Sequence, residues 1–294
     1  MNARVSPCAT VVCAVVAVVA VTACHRPSRP VDTRAARGVS VAPLGDPALP
    51  ALVKDGDAVF FVGNSFLGWH DRPLPEWVAS LGRSMTPPVS LEVGSDIVFG
   101  NTPLAGFLEH PATQAALASR SYRVWVLQGE DYEPVDHKAA FHQAVRDFNR
   151  AIVASGGRTV LLMTWEFPWR PFIQELAASY DEIGRELSIP VIPAGWVFHD
   201  ADLALPDGKR PFWLTADAEH PEGTLHQNEH GTVANTYATF ALLTGRNPHG
   251  QRFAAPGNTC DDATLHLLSD LAFAEVAPRL QAIVGAPVDA APVR

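Results

Sequence analysis

Three short runs in this chain are apolar at every position: Ala58–Val62 (AVFFV), the VWVL within Tyr122–Gln128 and the VLLM within Thr159–Thr164. A strand with one face in water alternates apolar and polar residues. A run without alternation is buried on both faces, as strands are in a parallel sheet covered by helices. Val89–Val93 and Pro190–Pro193 are the remaining strand candidates, which makes five. Between and after them the spacing predicts helices over 74–84, 103–120, 136–155, 171–187, 231–244 and 261–283, the last two separated by a Pro- and Gly-rich loop at 245–258. In the third helix Ala140, Phe141, Ala144, Val145, Phe148 and Ile152 form one apolar stripe, and Gly156–Gly157 ends it. Parallel strands need crossover connections, and these are right-handed. The expected fold is therefore a three-layer α/β/α sandwich on a mainly parallel five-stranded sheet, one domain over 51–285 with a flexible tail at 286–294.

The N-terminus reads as an export signal. Residues 1–24 carry Arg4, an apolar stretch from Ala9 to Ala20 and then Val21-Thr22-Ala23-Cys24. That ending resembles the bacterial lipoprotein box, which implies lipidation of Cys24; the alternative is ordinary cleavage after Ala23, with Cys24 incidental. Residues 25–50, rich in Pro, Arg, Ala and Val without periodicity, read as a tether between anchor and domain. The expectation is an exported protein, anchored by lipid on the periplasmic or cell-surface side of a bacterial envelope, touching the membrane through that anchor alone. Cys8 and Cys13 leave with the signal, so Cys260 is the single cysteine of the domain and has no disulfide partner there; it reads as an inert or partly buried thiol. With a net charge of −9 and no Lys/Arg cluster, nucleic acid is excluded as the expected partner.

Open parallel sheets bind ligands at the carboxyl ends of their strands. The loops to consider are Gly63-Asn64-Ser65-Phe66 after the first strand and Phe99-Gly100-Asn101-Thr102 after the second. Two more are Gln128-Gly129-Glu130-Asp131 after the third and His226-Gln227-Asn228-Glu229-His230-Gly231 late in the chain. In order and spacing these blocks resemble the SGNH, or GDSL-like, serine hydrolases. Gly63-Asn64-Ser65 is a variant of the first block and implies that Ser65 is the nucleophile. The second block implies an oxyanion-hole glycine at Gly100. The third, G-x-N-D in the family, is altered here and leaves Gln128 as the substitute donor. The last block, D-x-x-H before a helix, implies His226 as general base, with Gly231 opening a helix that runs to Thr244.

The last block departs from the family at one position: three residues before His226 stands Gly223 instead of Asp. The orienting carboxylate is then Asp217 or Glu222 from the same loop, or the site works as a Ser-His dyad with a carbonyl holding the imidazole. Asp217-Ala218-Glu219-His220 is a literal D-x-x-H, which makes His220 the alternative base. Two other readings stand beside the esterase: a noncatalytic envelope binding protein on the same fold, and a metal-dependent hydrolase using His220, His226 and His230. The esterase reading itself expects no metal and no cofactor.

Of the seven Trp, Trp77, Trp125 and Trp196 are expected in the core, while Trp69, Trp165 and Trp169 are placed to line the site. His137 and His142 are expected to be exposed. The family covers several acyl substrates, so the resemblance implies a small-molecule or polysaccharide ester, with export and the Trp residues favouring a carbohydrate O-acyl group.

Overall fold

The computed structural model describes residues 49–285. Every described residue belongs to one compact unit. The export signal, the lipidation of Cys24, the tether up to residue 48 and the tail 286–294 lie outside the described residues.

Five strands form one sheet in the order β2-β1-β3-β4-β5: β1 (Ala58–Gly63), β2 (Glu92–Ile97), β3 (Val124–Gln128), β4 (Arg158–Leu162) and β5 (Val191–Ile192). Every pairing is parallel, with Val62 opposite Asp96 and Leu127, and Gln128 opposite Leu162. All six residues of β1 and all five of β3 are buried, so both faces of the sheet centre are covered. At about 25 cal/mol per Å² of apolar surface removed from water, burial of such strands is a principal attraction between the layers.

The helices are α1 (Leu74–Ser84), α2 (Leu104–Phe107), α3 (Pro111–Ser119), α4 (Glu133–Asp136), α5 (Lys138–Ser155), α6 (Ile173–Leu187), α7 (Ala194–Leu203), α8 (Glu229–Thr244) and α9 (Asp262–Gly285). They pack in two groups, α1 with α7, α8 and α9, and α2 through α6 together. α5 buries the expected apolar stripe from Phe141 to Ile152, while Ala140 at its start is exposed, and ends on Gly156 in the left-handed conformation (φ 90°).

Four expectations are corrected here. The helix over 103–120 is two helices, because Pro111 cannot donate its backbone N–H and starts a new first turn. The second strand lies at Glu92–Ile97 instead of Val89–Val93: the N–H of Val89 goes to Gly82 O at 2.9 Å at the end of α1, and the strand that follows is a polar edge strand. α7 has no counterpart in the sequence reading; it is buried on nearly every side and so lacks a polar face to mark it. His142 is buried rather than exposed, its Nε2 lying 3.0 Å from Ser179 O on the face of α5 that meets α6.

Candidate active site

The apolar drive of β1 ends at Gly63, and the chain turns at once into a single helical turn, Ser65–Leu67. Three partners hold this turn. Asn64 Oδ1 accepts from Phe66 N–H at 3.1 Å, capping the turn, and Asn64 Nδ2 donates to Asp131 Oδ1 at 3.1 Å. The N–H of Asn64 donates to Gln128 Oε1 at 2.8 Å. Gly63 has no room for a side chain, since a Cβ there would stand 2.4 Å from that same Gln128 oxygen. From the other side Gln227 Nε2 donates to Phe66 O at 3.1 Å. Ser65 is thus fixed between the loop after β3 and the loop before α8.

The second loop is stitched with equal density. Thr224 Oγ1 donates to Thr215 O at 3.0 Å and accepts from His226 N–H at 3.2 Å. Asn228 donates to Trp213 O and Ala216 O at 2.6 and 2.8 Å and caps α8 by accepting from Gly231 N–H at 3.0 Å. Trp165 Nε1 donates to Leu225 O at 3.2 Å. This places His226 Nε2 2.8 Å from Ser65 Oγ, across 161 residues of sequence.

That distance is within reach for proton transfer from the hydroxyl to the imidazole, the step that turns a serine into a nucleophile. Burial, reinforced by His70, pushes the His226 pKa down to about 4, so the neutral acceptor form prevails at neutral pH. The N–H groups of Ser65 and Gly100 donate to nothing among the described residues, as donors reserved for an oxyanion would. Gly100 sits on the exposed loop after β2 with φ 105°, a conformation that favours glycine.

Two site expectations are corrected. Asp217, expected to orient His226, instead accepts from the N–H of His220 at 2.7 Å and lies 3.2 Å from the Nδ1 of that residue. Both side chains are half exposed, and His220, the alternative base, makes no contact with Ser65. Gln128, expected in the oxyanion hole, is spent beneath the nucleophile turn: its oxygen holds Asn64 N–H and its nitrogen donates to Gly129 O. Glu222 makes no hydrogen bond to His226, and no carboxylate among the described residues reaches His226 Nδ1.

The three histidines of the metal reading are separated in use. His226 meets Ser65, His220 meets Asp217, and His230 packs against Trp213 with ring centroids 5.3 Å apart. Among the described residues no three His, Cys, Asp or Glu side chains converge as a metal site. Cys260 is buried, and its thiol pKa is pushed up to about 12 by burial and by Glu229.

Sequence reasoning missed Asp131 and the capping role of Asn64. Asp131 is buried, and burial with Glu130 beside it pushes its carboxyl up to about 6. Its signal was its place three residues past the end of a buried strand, in a loop already singled out. The aromatic residues divide. Trp77, Trp125 and Trp196 are in the core, and Trp165 is buried too, between Phe66 and Phe198. Trp69 stacks on His226. Trp169 is 59% exposed and Phe99 63%; the Trp169 indole is fixed by donating to Tyr132 Oη at 2.8 Å.

No family model matches the chain, and no curated protein matches it. Among solved structures, a DUF4886 family protein from Bacteroides uniformis aligns with a TM-score of 0.59 at 14% identity, covering 75% of this chain and 94% of that one. An acetylxylan esterase from Geobacillus stearothermophilus aligns at TM-score 0.49 and 11% identity, covering 64% and 94%. A lipase/acylhydrolase from Enterococcus faecalis aligns at 0.45 and 15%, covering 65% and 96%. The first of these likenesses is one of fold.

Proposed function

We propose that this chain is an exported serine esterase of the SGNH type, hydrolysing a carboxylic ester through an acyl-enzyme. The single observation that carries the reading is the 2.8 Å approach of Ser65 Oγ to His226 Nε2 at the carboxyl end of a parallel sheet. His226 takes the hydroxyl proton as Ser65 attacks the ester carbonyl. The tetrahedral oxyanion accepts from the N–H groups of Ser65 and Gly100. His226 then gives its proton to the leaving alcohol, and a water activated by the same imidazole releases the acid. Every proton is accounted for by one imidazole, and no cofactor is required.

A carbohydrate O-acyl ester is the substrate class we favour. The support is the pair of exposed aromatic rings, Trp169 and Phe99, that reach the dyad through Phe167–Phe66 on one side and Trp69 on the other. Apolar ring faces of this kind stack on sugar rings. Export and lipid anchoring through Cys24 belong to the same proposal and rest on the sequence of residues 1–24. A serine-reactive fluorophosphonate tests the chemistry: the adduct should map to Ser65 by peptide mass and be lost in Ser65→Ala and in His226→Ala. Failure to label an otherwise folded chain would favour the noncatalytic binding protein.

A further inference from the structure

His226 becomes an imidazolium when it accepts the Ser65 proton, and in a three-residue serine site a carboxylate stabilises that charge and fixes the ring. Here His226 Nδ1 has no partner among the described residues. What the imidazole does have is the indole of Trp69, with centroids 3.5 Å apart and planes 6° from parallel. Phe66 approaches the same ring at 6.1 Å and 55°, and Phe99 braces Trp69 at 6.2 Å with its ring set edge-on.

The backbone is shaped for this contact. Gly68 and Pro73 bridge to close a tight loop, and inside it His70 and Asp71, neither of them glycine, have φ of 46° and 25°. Such conformations are strained for residues other than glycine and persist where the surroundings impose them. The residue this loop delivers is Trp69.

Resting on the Ser-His reading above, we propose that Trp69 is a positioning residue that replaces the orienting carboxylate: its indole face fixes the plane of the His226 imidazole and stabilises the imidazolium formed during acyl transfer. A cation over the face of Trp is attracted by the ring quadrupole, and Trp is the best of the aromatic partners. A neutral ring meets the need without placing a second buried charge beside a histidine that burial already discharges. His70, from the same loop, opposes protonation of the imidazole electrostatically, and the stacked indole face is the partner that favours it.

The experiment compares full-length wild type with Trp69→Phe and Trp69→Leu. Leu keeps an apolar cover but removes the ring. We expect Trp69→Leu to lower kcat about tenfold, within the range of about threefold to thirtyfold set by such interactions, with KM changed less than about twofold. Trp69→Phe should recover most of the loss. An unchanged kcat in Trp69→Leu, a loss lying wholly in KM, or a Phe variant no better than Leu would overturn the proposal. Indole emission provides a second readout that needs no substrate, because an imidazolium quenches a stacked indole. The wild-type minus Trp69→Phe difference should fall as His226 protonates near about pH 4 and stay flat in His226→Gln; a flat wild-type difference overturns the stacking. Should wild type neither turn over esters nor take the phosphonate, the esterase reading fails, and the emission titration still decides the role of Trp69.

Discussion

Asp217 Oδ1 accepts from the backbone N–H groups of Glu219 and His220 at 2.9 and 2.7 Å and lies 3.2 Å from His220 Nδ1, which closes a surface turn on itself. The N–H of His220 foremost holds the carboxyl below the usual aspartate range. A pair this exposed contributes little, about 0–1 kcal/mol, and touches nothing in the site. Asp217→Asn and His220→Ala should therefore each leave kcat within about twofold of wild type. His226→Ala should lower it at least about a thousandfold, as loss of a general base does. Initial rates on one neutral ester check all three.

The pH dependence has a defined sign. Burial and His70 push the His226 pKa to about 4, below the ordinary value of 6.5, so the proton-accepting form persists well into mild acid. On a neutral ester, kcat/KM should stay level from pH 7 down to about 5 and fall as pH passes through about 4. His70→Gln removes the opposing charge, so the acid limb should move to higher pH. An acid limb at the ordinary histidine value in the wild type would contradict this reading of the site.

Asn64 stands where the family resemblance would have Asp, and Asp131 explains the amide. Asn64 Nδ2 donates to the buried Asp131 carboxylate at 3.1 Å, a contact that a second carboxylate replaces with repulsion. Asn64→Asp should destabilise the fold, and more so at pH 8 than at pH 5. Below about 6 Asp131 takes up a proton, and one neutral carboxyl then donates to the other. Denaturant midpoints at the two pH values measure the difference. Asn64→Ala, which removes the cap on Phe66 N–H, should cost about 1–2 kcal/mol at either pH.

How much of this was legible in the sequence follows from what each signal reports. The runs AVFFV, VWVL and VLLM announce strands buried on both faces, and that condition alone leads to a parallel sheet with helices on either side. β2 is an edge strand with a polar sequence, so its apolar neighbours Val89 and Leu91 drew the expectation three residues early. α7 is buried nearly all round and shows no periodicity to read. Ser65 and His226, which the family resemblance marked, meet in the fold, and each sits at the mouth of an element with its own signal, a buried strand and a capped helix. Asp217 and Gln128 were misassigned for one reason: position along the chain does not say which neighbour a short polar side chain will satisfy first. Asp217 is consumed by the turn it sits in, and Gln128 by the backbone of the turn it supports.

The export reading yields its own outcome. If Ala23–Cys24 is a lipoprotein junction, the full chain expressed in a bacterial host should take up labelled palmitate and partition with membranes, and Cys24→Ser should do neither. A processed chain beginning at Cys24 without lipid would support plain secretion instead.

The most direct test of the central claim is the initial rate of p-nitrophenyl acetate hydrolysis by the purified full-length chain, measured beside Ser65→Ala and with and without EDTA. The Ser65–His226 mechanism predicts steady hydrolysis that EDTA leaves unchanged and that falls at least about a thousandfold in Ser65→Ala. Activity that survives Ser65→Ala, or that EDTA abolishes, would contradict it.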